Sequence, residues 1–130
     1  MLFTEVYVSS AVSAWTPDDL DVLLEQSRRK NDALGVTGLL LHRDQSFLQV
    51  LEGEEDVVRA LYATISRDPR HVDVVNVWNS HSPVRRFPGW SMGFRDLASD
   101  PDQLQVPSNA DLLRRRHAVP DFLSQFQPTA

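Results

Sequence analysis

The 130-residue chain has no cysteine, which excludes disulfides, thiolate metal sites and a cysteine nucleophile and fits a reducing cytosol. It has no surplus of basic charge either: 13 Lys and Arg against 18 Asp and Glu leave a formal net charge of −5. A nucleic-acid-binding domain needs the opposite sign or a basic patch. The densest basic run, Arg114-Arg115-Arg116 beside His117, sits in a helix-like pattern and makes no such patch. The N-terminus lacks a charged region followed by a signal-type apolar core, and no apolar run approaches membrane-spanning length. A cytoplasmic location is therefore expected, with neither nucleic acid nor membrane as partner. The histidines, at 42, 71, 81 and 117, show no metal-ligand spacing. No Gly-rich phosphate loop, Ser-His-Asp order or paired-carboxylate site is visible. The acids Glu52, Glu54, Glu55 and Asp56 read as a helix start, so neither a metal nor an enzyme is expected.

What is present is ordinary in bulk. An apolar fraction of 42% and a charged fraction of 24% suit a globular protein, and the length suits one domain with a short appendage. Leu2 to Ser9 alternates as a first strand should. Thr16-Pro17-Asp18-Asp19 combines an N-cap, a proline at the first helical position and first-turn acids. The helix it opens is predicted to reach about Asn31, with Gly35 at the exit. Gly38 to Gly53 reads as two strands around a polar turn at Arg43-Asp44-Gln45. Gly53-Glu54-Glu55-Asp56 opens a second helix with Val57 or Val58, Leu61 and Ile65 inward, and Asp68-Pro69-Arg70 ends it. A fourth strand spans Val72 to Trp78, and Arg86 to Phe94 holds a fifth that begins after Pro88-Gly89. The order β-α-β-β-α-β-β predicts an α+β, ferredoxin-like fold, a five-stranded mixed sheet with both helices on one face and strands one and three adjacent at its centre. Residues 98–107 read as a linker. Ser108 reads as a cap for short helices whose Leu112, Leu113, Val119, Phe122, Leu123 and Phe126 cover the other sheet face or form a self-association surface.

Polar residues on apolar faces carry the functional signal. Strand side chains alternate, so Gln49 shares a face with Phe47 and Leu51. A buried amide without partners costs about 1–3 kcal/mol. Leu20, Leu24, Ser27 and Asn31 share one helix face, which begins with leucines and ends polar. Asn31 either satisfies backbone carbonyls near the helix end or lines a ligand slot. Tyr7 alone says little, but strand one beside strand three brings it within reach of Gln49. Tyr7, Gln49 and Asn31 then converge in an apolar pocket suited to a planar heteroaromatic ligand. Trp90 and Met92, two apart, are expected to share a face of strand five, where ordinary core packing would also explain them.

With those residues in place, the chain resembles the BLUF family of flavin-binding blue-light sensors over about residues 2–97. The resemblance rests on Tyr7, Ser27-Arg28-Arg29-Lys30-Asn31, Gly35-Val36-Thr37-Gly38-Leu39-Leu40 and Phe47-Leu48-Gln49-Val50-Leu51-Glu52-Gly53. It continues through Asp68-Pro69-Arg70-His71 and Arg85-Arg86-Phe87 to Trp90-Ser91-Met92. It implies a non-covalent flavin, FAD with FMN or riboflavin as alternatives, held between the helices with its ring edge toward strands one and three. Asn31 would bond the carbonyl and imide edge with Ser27 close by, and Asp68 and Arg70 would lie near the cofactor. Tyr7 would give excited flavin an electron and then a proton, and Gln49 would rearrange its hydrogen bonds between that hydroxyl and the ring. Trp90 and Met92 would relay the change.

The resemblance further implies a sensor at 1–97 and a linker with helical extension at 98–130. With no recognisable output domain after residue 97, signalling is expected through self-association as a homo-oligomer or through a separate protein partner. Residues 108–127 are the candidate transmission surface. The alternative is a ferredoxin-like effector-binding or interaction module without light sensing.

Overall fold

Strand and helix order follow from where the chain places its alternating and capped segments. The computed structural model describes residues 2–13, 15–97 and 107–126. Five strands, β1 (Leu2–Ala11), β2 (Thr37–Arg43), β3 (Ser46–Gly53), β4 (His71–Ser82) and β5 (Gly93–Asp96), form one sheet. Its order is β4-β1-β3-β2-β5, parallel only between β2 and β5. Helices α1 (Pro17–Leu34) and α2 (Glu55–Ser66) connect the strands. This is the expected ferredoxin-like arrangement, with β1 beside β3 at the centre.

Thr16 caps α1 by accepting from the Asp19 amide, and Asp19 reciprocates at the Thr16 amide. The helix ends three residues beyond Asn31, at a left-handed Gly35 with φ 69°. The hairpin turn is tighter than expected: Arg43 still pairs with Ser46, leaving Asp44 and Gln45 as a two-residue turn with Asp44 at φ 55°. Gly38 admits no side chain, because a Cβ there would lie 1.9 Å from the Val50 carbonyl oxygen.

Two apolar layers flank the sheet. On one, Phe3, Leu40, Phe47, Leu51 and Met92 pack with Leu20 and Leu24 of α1 and Val58 and Leu61 of α2. On the other, Val6, Val8, Leu39, Leu41, Leu48 and Val50 are covered by Leu112, Val119, Phe122, Leu123 and Phe126. These come from α3 (Asn109–Arg114, capped by Ser108) and α4 (Val119–Leu123) with flanking 3-10 turns. Of the two roles expected for those residues, covering the sheet is the observed one. The expected linker lies, up to residue 106, outside the described residues, as does residue 127.

Strand boundaries differ in two places. Strand four runs four residues past Trp78, to Ser82. Strand five begins only at Gly93, so Trp90 and Met92 precede it. Nor do they share a face. Met92 is buried in the α1–α2 layer, whereas Trp90 packs in the opposite layer, stacked with Phe87 at a centroid distance of 5.7 Å. The cause is backbone irregularity: Pro88-Gly89 turns with Gly89 at φ 79°, and residues 88–92 form no ladder, so the two-residue period does not apply.

Candidate functional site

Register places Tyr7 directly opposite Gln49 across the β1–β3 pair. Both face the helical layer, where Tyr7 is 2% and Gln49 8% exposed. The β1–β4 register also shifts at Tyr7, a bulge beside the residue. Burial above all, then Tyr62 and Asp68, pushes the Tyr7 hydroxyl well above the ordinary value of 10.0. Its ring lies 5.2 Å from that of Tyr62. The amide of Gln49 finds a partner across the layer, as Nε2 donates to Met92 Sδ at 3.5 Å.

Asn31 is 2% exposed in the last turns of α1. Its Nδ2 donates to the Ser91 carbonyl at 2.6 Å, so the carbonyl it satisfies belongs to a distant segment and not to its own helix end. Arg28 Nε donates to the next carbonyl, Met92, at 2.9 Å, and the Gly38 amide donates to Trp90 at 2.9 Å. Three consecutive carbonyls, 90 to 92, are thus held by α1 and β2. Periodicity could not reveal Arg28 in this role, because its side chain crosses to a segment 64 residues away.

Between α1, α2 and the sheet lies a cavity of about 250 Å³. Leu23, Leu40, Leu61 and Ile65 give it apolar walls, and Tyr7, Ser27, Asn31 and Gln49 bring polar groups into it. Asp68 and Arg70 stand at its rim, joined by three side-chain contacts of 2.6–3.0 Å. The Arg70 hydrogen bonds hold the Asp68 carboxyl down at about 2. His71 is fixed beside them: Nε2 donates to the Ile65 carbonyl at 2.6 Å, and Nδ1 lies 3.1 Å from the Ser9 hydroxyl. Six of the expected site residues therefore converge on one cavity, while Met92 touches it through Gln49 and Trp90 lies on the far side of the sheet.

Trp15 also lines the cavity and went unnoticed in the sequence. Its one signal is its place just before the N-cap, where an apolar residue often staples a helix start. Glu52, expected among the acids of a helix start, lies instead in β3 and is 1% exposed. Its carboxylate accepts from the Arg86 and Phe87 amides at 2.7 and 2.9 Å and fastens the segment leading toward β5. Among the described residues no metal-binding cluster occurs.

A ferredoxin-like sheet with a part-polar slot under two helices has the form of a small-molecule-binding domain. Residues 2–93 match the family described as sensors of blue-light using FAD, and the chain belongs to the BLUF family. The photoactivated adenylate cyclase subunit beta of Euglena longa is 37% identical over 92 residues, 70% of this chain but only 11% of that protein. The Klebsiella pneumoniae BlrP1 structure with FMN and cyclic diGMP superposes with a TM-score of 0.76 at 36% identity, over 97% of this chain and 33% of that one. BlrB, a BLUF protein in its dark state, gives 0.71 at 31% identity, over 92% and 96%.

Domains of this family bind flavin and act as sensors rather than enzymes. The residues present fit such a group. A flavin ring has an apolar end and a polar pyrimidine edge carrying both an N–H donor and carbonyl acceptors. Leucine walls and the Asn31 and Gln49 amides, each with donor and acceptor atoms, match both parts.

Proposed function

We propose that the chain is a blue-light photoreceptor in which Tyr7 and Gln49 form the switch. The observation that carries this reading is their direct opposition across β1 and β3 at the wall of the part-polar cavity beneath the two helices. The flavin, FAD or FMN, supplies absorption of blue light and an oxidising excited state. Asn31 and Ser27 would hold the polar ring edge, with Asp68 and Arg70 at the rim. Tyr7, buried and kept protonated, would pass an electron and then its phenolic proton to the excited flavin. Gln49 answers by rotation or tautomerisation, which exchanges donor for acceptor at one position. Met92 senses the exchange because it already accepts from Gln49. The tethered 90–92 segment runs directly into β5, and Trp90 packs in the apolar layer to which α3 and α4 also contribute.

In this reading residues 1–97 are the sensor, and the outer face of α3–α4 transmits the signal to another copy of the chain or to a separate protein. A cytoplasmic location accords with this, and no described helix is long and apolar enough to cross a membrane. Purified protein should be yellow, and blue light should shift its flavin band reversibly to the red. Colourless protein that takes up no flavin on reconstitution would refute the reading, leaving an interaction module of the same fold. Size-exclusion runs in dark and light would test the oligomer; identical profiles with no change in partner binding would exclude this output route.

A further inference from the structure

Glu5 is a buried acid that the Tyr7–Gln49 switch does not use. It shares the inner face of β1 with Phe3 and Tyr7 and is 3% exposed, in a layer otherwise built from Leu51, Val58 and Leu61. Asn76 of β4 donates to Oε1 at 2.9 Å, while the buried Oε2 has no hydrogen-bond partner among the described residues. Desolvation raises the carboxyl above its ordinary 4.5, against the Asn76 bond and the Arg59 charge, which favour the ionised form. A carboxylate so placed accepts a proton more readily than an exposed one.

A second phenol stands beside it. Tyr62 of α2, half-buried, packs its ring 5.2 Å from that of Tyr7 at an interplanar angle of 50°. Its hydroxyl is bonded by the Asn76 backbone amide and feels the Glu5 charge. Asn76 thus holds Glu5 with its side chain and Tyr62 with its main chain. Two phenol rings in contact, the outer one beside an acid with an unused acceptor oxygen, make an electron path with an exit for the proton.

We infer that Tyr62 is a second electron donor, with Glu5 as its proton acceptor, and that the pair discharges oxidised Tyr7 before Gln49 responds. This rests on the flavin reading above. While Tyr7 has lost an electron and still holds its proton, one electron passes to it from Tyr62. The Tyr62 O–H bond breaks, and its proton forms an O–H bond on Glu5 Oε2. Tyr7 is then again a neutral phenol, Tyr62 a neutral phenoxyl radical and Glu5 a neutral acid. The electron taken up at the flavin returns to Tyr62, the proton returns from Glu5, and no red-shifted state results. The pair therefore sets the fraction of absorbed photons that is productive.

The test compares flavin-loaded wild type, Tyr62→Phe and Glu5→Gln by pulsed EPR after illumination at low temperature, and by the yield of red-shifted state per absorbed photon. Phenylalanine keeps the ring against Tyr7, and glutamine keeps an acceptor for Asn76. Wild type should show tyrosyl radicals at two separations from the flavin, and each variant only the separation that belongs to Tyr7. Both variants should raise the yield about twofold, the ratio for two branches of similar rate, with flavin affinity close to that of wild type. A purely structural role for either residue would weaken flavin binding and leave the radical separations unchanged. A single separation in wild type, or unchanged separations and yield in either variant, would overturn the inference and leave the Tyr7–Gln49 switch standing. Wild type without any red-shifted state would remove both.

Discussion

Gln49 and Met92 meet at 3.5 Å, amide nitrogen to thioether sulfur, and Met92 is also the residue whose carbonyl Arg28 holds. A rearranging amide therefore acts on a segment already fixed to α1. Met92→Leu preserves volume, a change that usually costs less than about 1.5 kcal/mol, but removes the acceptor. It should leave flavin uptake intact and change the dark-recovery rate severalfold after a blue flash. Trp90→Phe, altered in the opposite layer, should change it by less than about twofold. Equal recovery in wild type and Met92→Leu would deny Met92 its part.

Tyr7→Phe and Gln49→Leu separate binding from switching. Neither removes Asn31 or the leucine walls, so both variants should bind flavin within a few-fold of wild type. Both should lose the red-shifted state. Absorption difference spectra under blue light decide this, and a normal shift in either variant would take the switch away from that residue.

How far the sequence could be read depended on regular periodicity. Leu2 to Ser9, the Thr16-Pro17 start and the Gly38–Gly53 hairpin were legible because alternation and capping are local. The opposition of Tyr7 and Gln49 followed once topology set β1 against β3. Trp90 and Met92 were misplaced because a two-residue spacing implies one face only on extended backbone, and theirs is shaped by donors from Gly38, Asn31 and Arg28. Trp15 sits in a loop, where periodicity carries no information, and its neighbours Phe47 and Arg70 are distant in sequence.

Alkaline pH should expose the burial of Tyr7. Its folded-state pKa is raised well above 10.0, chiefly by desolvation, while the unfolded phenol titrates at its ordinary value. The contribution is therefore complete below pH 10 and is lost as pH rises through the folded value. Between pH 9 and 11 the thermal midpoint of wild type should fall more steeply than that of Tyr7→Phe. Parallel curves would contradict the raised value.

Asp68 offers the opposite sign. Arg70 holds its carboxyl at about 2, so the stabilisation is present above the unfolded value of 3.8 and disappears as pH falls through about 2. The pair is open to solvent mainly on the Arg70 side, and screening there holds its worth to about 1 kcal/mol. Carboxyl NMR titration should find Asp68 near 2 in wild type and clearly higher in Arg70→Ala, where the backbone amide of residue 70 still donates to it. The same low value in both proteins would assign the depression to another cause.

Glu52 is the most stringent structural test, since it is 1% exposed and serves residues more than thirty positions away. Its carboxylate accepts two backbone amides and the Thr37 hydroxyl. Alanine would strand the buried Phe87 amide and the part-buried Arg86 amide, and each unsatisfied group costs about 1–3 kcal/mol. Glutamine keeps one acceptor oxygen and should cost less. Urea unfolding should therefore rank wild type above Glu52→Gln above Glu52→Ala, with about 3 kcal/mol between the extremes. Because Phe87 stacks on Trp90, hydrogen exchange at the Arg86, Phe87 and Trp90 amides should accelerate together in Glu52→Gln. Acceleration at Arg86 and Phe87 with Trp90 unchanged would show that Glu52 fastens only the near end of this connection and leaves the 90–92 tether to α1 and β2.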